Sequence, residues 1–218
     1  MTPSSSLLSR LIQVMTPALT SRVTRTALGL TPKRPLRADY GELLRAVSSK
    51  IATAKWNRPR SFDEDDCVAV YWYTMDSLPH SPLTYGALNT LLRTGQHPQA
   101  ADLWILGAYL YEALSKLPQR RDGLSFRVAK RFPGFEKIYR PGAVVREAAF
   151  VSSSRNPRPP FEGGIYFSIL GRRGRLLGPL TYFGKEDEVL FLAGTSFKVV
   201  YVEPLSDGSV HIHMEEQQ

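Results

Sequence analysis

At Gly123 the hydrophobic pattern of this chain changes period, and that change limits the folds open to it. From Asp39 to about Pro118, apolar residues recur at helical spacing. One stripe is Leu43, Leu44 and Val47; another is Tyr85, Leu88, Leu91 and Leu92, stopped by Gly95. A third runs Leu103, Leu106, Tyr109, Leu110, Ala113 and Leu114 before Pro118. After Gly123, β-branched and aromatic residues alternate in short runs between Gly and Pro, at 124–129, 164–170, 188–192 and 197–202. Helices followed by strands predict an α+β fold, because a doubly wound sheet would interleave them.

Composition excludes several classes. With 43% hydrophobic and 22% charged residues, and no uninterrupted apolar run of about 18, the sequence predicts no membrane-spanning helix. The single cysteine, Cys67, cannot form an internal disulfide, and Asp63, Glu64, Asp65 and Asp66 disfavour its thiolate. It reads as structural.

The net charge of +8 resembles a nucleic-acid signal until it is located. Residues 1–37 hold Arg10, Arg22, Arg25, Lys33, Arg34 and Arg37 with no acid, which leaves only +2 for the other 181 residues. That N-terminal stretch is rich in Ser and Thr. Its one apolar cluster, Leu7, Leu8, Leu11, Ile12 and Met15, is interrupted by Arg10 and ended by Pro17, unlike the h-region of a secretory signal. The composition fits an organelle transit peptide, the leader of an injected effector, or a plain tail. Residues 31–36, with Pro32 and Pro35, read as a linker. The expected organisation is an extension at 1–37, a folded domain at 38–205 with a helical part to 118 and a β core from 123, and a tail at 206–218.

Three segments carry chemistry. In the run 124–129, Leu124, Phe126 and Val128 share one face and Arg127 lies on the other, which predicts Arg127 pointing away from the apolar side. Phe150, Val151, Ser152, Ser153 and Ser154 end a strand before the Pro-rich loop 155–160. Glu186 and Glu188 stand two apart before an apolar strand. In extended conformation both carboxylates project to one side and repel, which calls for a cationic partner or a task. Between 119 and 175 the chain carries 13 Lys or Arg against Asp122, Glu136, Glu147 and Glu162, a field suited to phosphates or to nucleic acid. His211 and His213 share one face of a strand-like run, but with no further His or Cys cluster no metal is expected.

In this order and spacing the three segments resemble the mono-ADP-ribosyltransferases of the arginine-serine-glutamate class, the toxin-like and effector transferases of bacteria. The resemblance rests on Phe126-Arg127, Phe150 to Ser154, and Glu186 through Gly194-Thr195-Ser196-Phe197, with Tyr139 to Val145 leading into the serine segment. It covers about residues 60–203. It implies an N-terminal helical lobe followed by a β-sandwich core with an NAD cleft. NAD is then the substrate, with Arg127, Ser152, Glu186 and Glu188 as the catalytic set.

The resemblance also implies that Arg127, Val128, Ser152, Ser153, Phe161, Phe167 and Glu188 contact NAD, with Phe161 or Phe167 stacking on nicotinamide. Tyr182 and Phe183, with Glu186, would meet the target. Val128 stands where the family has Gly, and Arg140 competes with Arg127 for the arginine role.

Glu-x-Glu spacing in the family goes with arginine acceptors, and two carboxylates suit a guanidinium. The expected partners are NAD and a target protein with an acceptor arginine, with an immunity protein or host activator also admitted. The expected setting is secretion or injection without a Sec signal and action in the target cytoplasm. The alternatives are transfer to nucleic acid, NAD hydrolysis, and a non-catalytic basic nucleic-acid-binding module.

Overall fold

The computed structural model describes residues 29–120, 123–157, 164–183 and 187–217. They divide into two compact units, Met1–Lys116 and Leu117–Gln218.

The first unit is helical. It comprises α1 (Lys33–Leu36), α2 (Ala38–Thr53), α3 (Glu64–Tyr73), α4 (Tyr85–Thr94) and α5 (Ala100–Lys116). Local chemistry sets the ends. Asp63 accepts from the Asp66 amide while the Asp66 side chain accepts from the Asp63 amide, a capping box that starts α3. Gly95, at φ 76°, ends α4 in the left-handed conformation that costs glycine nothing. The interior carboxylate of Asp66 is paired with Lys116 Nζ at 2.9 Å, linking the start of α3 to the end of α5.

The stretch 31–36 differs from the linker expected. Residues 33–36 form a helical turn, and Leu36 is buried. Two prolines are compatible with a first helical turn, where an amide donor is not needed.

Cys67 lies inside α3, and burial pushes its thiol up to about 11, with Arg58 opposing and Asp66 and Asp63 adding to the effect. The folded protein at pH 7 is therefore expected to resist thiol-directed alkylation, reacting at least about 100-fold more slowly than the same chain in denaturant. Mass spectrometry of a timed alkylation checks this.

The second unit contains β1 (Gly123–Ala129), α6 (Phe135–Ile138), β2 (Val144–Arg146), β3 (Val151–Ser154), β4 (Ile165–Gly171), β5 (Arg175–Leu176), β6 (Glu188–Phe191), β7 (Ser196–Pro204) and β8 (Val210–Glu216). Among the described residues these strands form one ladder in the order β2-β7-β8-β4-β1-β3-β6-β5, antiparallel except for β4 with β8.

Connectivity forces this ladder to fold over. β6 and β7 lie five strands apart, about 24 Å in a flat sheet. They are joined by only four residues, 192–195, which reach about 17 Å at full stretch and here close in a turn from the Thr195 amide to the Leu192 carbonyl. The two ends of the sheet must therefore face each other. Phe191 of β6 and Phe197 of β7 meet edge to face at 5.3 Å in a core shared with Val151, Ile165, Ile169, Val189, Val199, Ile212 and Met214.

The expectation of a tail after 205 gives way to a strand in the middle of the sheet. In β8, Val210, Ile212 and Met214 are buried while His211, His213 and Glu215 face the other side. Glu216, at its end, receives the Arg172 and Arg173 amides at 2.6 and 2.8 Å and pairs with Arg173 Nε at 2.7 Å.

Candidate active site

Strand pairing brings together residues 36 positions apart. β3 runs against β6 with Ser154 opposite Glu188 and Ser152 opposite Leu190, so Ser152 and Glu188 are diagonal neighbours on one face. Ser152 Oγ donates to Glu188 Oε1 at 2.6 Å, the length of a hydroxyl bonded to an ionised carboxylate. Glu188 is only 7% exposed, and a carboxylate removed from water to that extent needs such donors.

Two amides anchor the backbone here. Arg155 N donates to the Asp187 carbonyl and Leu177 N to the Glu188 carbonyl.

Arg127 completes the set from β1. β1 and β3 are paired at one position, Phe126 opposite Ser154; further along β3, the Ser152 carbonyl accepts from Arg127 Nη1 at 3.0 Å. Arg127 thus touches the backbone of the residue whose hydroxyl holds Glu188. Arg140 is exposed in the loop after α6, where its carbonyl closes a turn with Ala143.

The face of β1 turned to the core is the reverse of the one expected. Ser125 is fully buried and Ala129 packs on the core, while Leu124 is 46% exposed. Arg127 lies opposite Phe167, so it shares the core-side face. Phe126 instead stacks on Tyr166 at 5.9 Å across the other face.

Two further candidates take structural places. Phe167, 3% exposed, sits in the core edge to face with Tyr139 at 5.2 Å, which removes it as a stacking surface for nicotinamide. Ser153 is buried, and its Oγ lies 3.0 Å from both Ser125 Oγ and the Val189 carbonyl, tying β1, β3 and β6 together. Val128 is half-buried opposite Tyr166.

Phe161 and Glu186 lie outside the described residues. Asp187, the first described residue after Glu186, adopts φ 42°. Tyr182 and Phe183 are both exposed and meet edge to face at 4.8 Å.

Sequence reasoning passed over Arg120 and Arg155. Arg120 donates to the Leu124 carbonyl, and its hold on its proton is weakened by burial and by the charge of Arg155. Two cations set against each other mark a place where an anion is welcome. The only sequence signal was the basic excess of the region.

Helices leading a folded-over sheet, with an arginine, a serine and a buried glutamate held together on neighbouring strands, define the ADP-ribosyltransferase class. The chain belongs to the NAD:arginine ADP-ribosyltransferase family, whose model matches residues 36–218. It is 26% identical over 185 residues to the NAD(+)--protein-arginine ADP-ribosyltransferase Tre1 of Serratia proteamaculans, covering 81% of this chain and 39% of that protein. The chain thus spans under half the length of that relative.

Among solved structures it resembles the type III effector XopAI of Xanthomonas axonopodis pv. citri, with a TM-score of 0.73 at 17% identity, covering 98% of this chain and 92% of that one. It also resembles the ADP-ribosyltransferase HopU1 of Pseudomonas syringae pv. tomato, with a TM-score of 0.67 at 20% identity, covering 82% and 87%.

Proposed function

We propose that this chain cleaves the bond between nicotinamide and ribose in NAD and transfers ADP-ribose to arginine on a target protein. The observation that carries the reading is the bond from Ser152 Oγ to the buried Glu188 carboxylate.

Leaving nicotinamide takes the bonding pair, and the ribose anomeric carbon gains oxocarbenium character. A carboxylate fixed beside that carbon stabilises the transition state more than the ground state. Glu188 supplies it, and Ser152 keeps its orientation. Arg127 binds the diphosphate through its planar fork, with Arg120 and Arg155 adding positive field. The acceptor guanidine nitrogen then attacks the anomeric carbon and gives up one proton, which Glu186 receives. The exposed Tyr182 and Phe183 meet the target protein.

The biological setting proposed is that of a toxin or effector delivered to another cell without a Sec signal, where an immunity protein or a host activator engages it. The basic, acid-free sequence ahead of α1 serves delivery.

Replacing Glu186 separates transfer from hydrolysis. In Glu186→Gln, nicotinamide release without acceptor is expected to stay within about threefold of the parent, while transfer to an arginine-rich protein falls about 100-fold or more. Parallel nicotinamide and acceptor-label assays measure both. Equal losses in the two assays, or no loss in transfer, would remove Glu186 from the acceptor role.

A further inference from the structure

Away from Ser152 and Glu188, the sheet assembles a second group of chemically capable side chains. β7 and β8 pair with Glu203 opposite His211 and Tyr201 opposite His213. Glu203, His211 and His213 therefore share one face, and each offers a ligand atom within 4.8 Å of the others. All three are half-buried. The two imidazoles lie 3.9 Å apart between centroids.

We propose that Glu203, His211 and His213 form a site for a zinc-class divalent cation that clamps the C-terminal strand to β7. The donors are two imidazole nitrogens and one carboxylate oxygen, a set that suits Zn²⁺ and its neighbours Ni²⁺ and Cu²⁺ better than Mg²⁺ or Ca²⁺. Histidines two apart on a strand point the same way and chelate without a loop having to be ordered. Tetrahedral zinc holds neighbouring ligand atoms about 3.3 Å apart, so a movement of about 1 Å by half-buried side chains closes the site.

Neighbouring side chains hold the two rings in place. Ser168 Oγ lies 2.7 Å from His211 Nε2, which fixes that ring from outside and leaves Nδ1 for the cation. The Tyr166 and Tyr201 rings flank the two imidazoles at 4.6 and 5.8 Å.

The sequence alone weighed only further His or Cys as additional ligands. The third donor is a carboxylate brought in by pairing across the hairpin. β8 lies three ladder steps from β3, about 14 Å at ordinary strand spacing, so the site is separate from Ser152.

The test is calorimetric titration of the full chain, stripped with chelator, with Zn²⁺ alone. One ion per chain is expected, saturating below about 100 µM and raising Tm by about 5 °C or more. Glu203→Gln and His213→Gln should each weaken binding at least about tenfold. His80→Asn, which removes a donor from the other close group, Asp39, Glu42 and His80 in the helical unit, should leave it unchanged.

Co²⁺ added to the unaltered chain should give a visible absorption band that Zn²⁺ displaces, a readout independent of variant stability. No saturable binding with no cobalt band, undiminished binding in both β variants, or loss in His80→Asn alone would each overturn the proposal.

Discussion

Glu188→Gln is expected to lower nicotinamide release from NAD by about 1,000-fold while the protein stays folded. The amide keeps the size of the carboxylate, and Ser152 Oγ, now 2.6 Å from Oε1, can still donate to the amide oxygen. What disappears is the negative charge facing the oxocarbenium ion. The loss should therefore appear in kcat, with KM for NAD changed little. Ser152→Ala removes only the group that orients Glu188 and should cost less, about 10- to 100-fold. Steady-state nicotinamide assays separate the two, with circular dichroism to establish folding. A folded Glu188→Gln protein retaining more than about a tenth of the activity would contradict the assignment.

The second large effect concerns the fold. Phe191→Ala should destabilise the protein by about 3 to 5 kcal/mol, a major share of the roughly 5 to 15 kcal/mol that stabilises a typical domain. Phe191 is 2% exposed and joins the two ends of the folded-over sheet through Phe197.

Its ring also fills the space left by two glycines. A Cβ at Gly171 would stand 2.4 Å from Phe191 Cε1, and one at Gly174 would stand 3.1 Å from the same atom. At Gly171 the backbone approaches the ring too closely for a side chain, at Gly174 the tighter neighbour is Val189 Cγ1 at 2.6 Å, and truncation of Phe191 leaves a cavity that the glycines cannot fill. Urea unfolding measures the loss. Tyr201→Ala, on the exposed face of β7, should change stability by under about 1 kcal/mol. A Phe191→Ala effect that small would mean that the two sheet ends do not depend on each other.

What the sequence revealed and what it hid divide along physical lines. Helix stripes and ends were legible because their causes are local: Gly95 stops α4 and Leu88 and Leu91 fill its buried face. The strands at 124–129 and 164–170 were legible for the same reason, since alternation is a property of one segment.

The face of β1 turned to the core depends on partners far away. Leu124 looked like core and is exposed, while Arg127 stands opposite buried Phe167. β8 was legible only as a strand-like run at His211 and His213; its place within the sheet comes from pairing with β4 and β7. The Glu186–Glu188 spacing suggested one face, and Glu186 lies outside the described residues. Arg127, Ser152 and Glu188 were found through resemblance. Their residue types in isolation are ordinary, and it is the β3–β6 register that turns a serine and a glutamate into a bonded pair.

The central claim, transfer of ADP-ribose to arginine, is tested most directly by incubating the full chain with NAD and an arginine-rich protein and sequencing the product by mass spectrometry. The account predicts ADP-ribose on arginine side chains, absent with Glu188→Gln. Nicotinamide release that leaves every arginine unmodified, or label found on nucleic acid in a mixture of both, would contradict it.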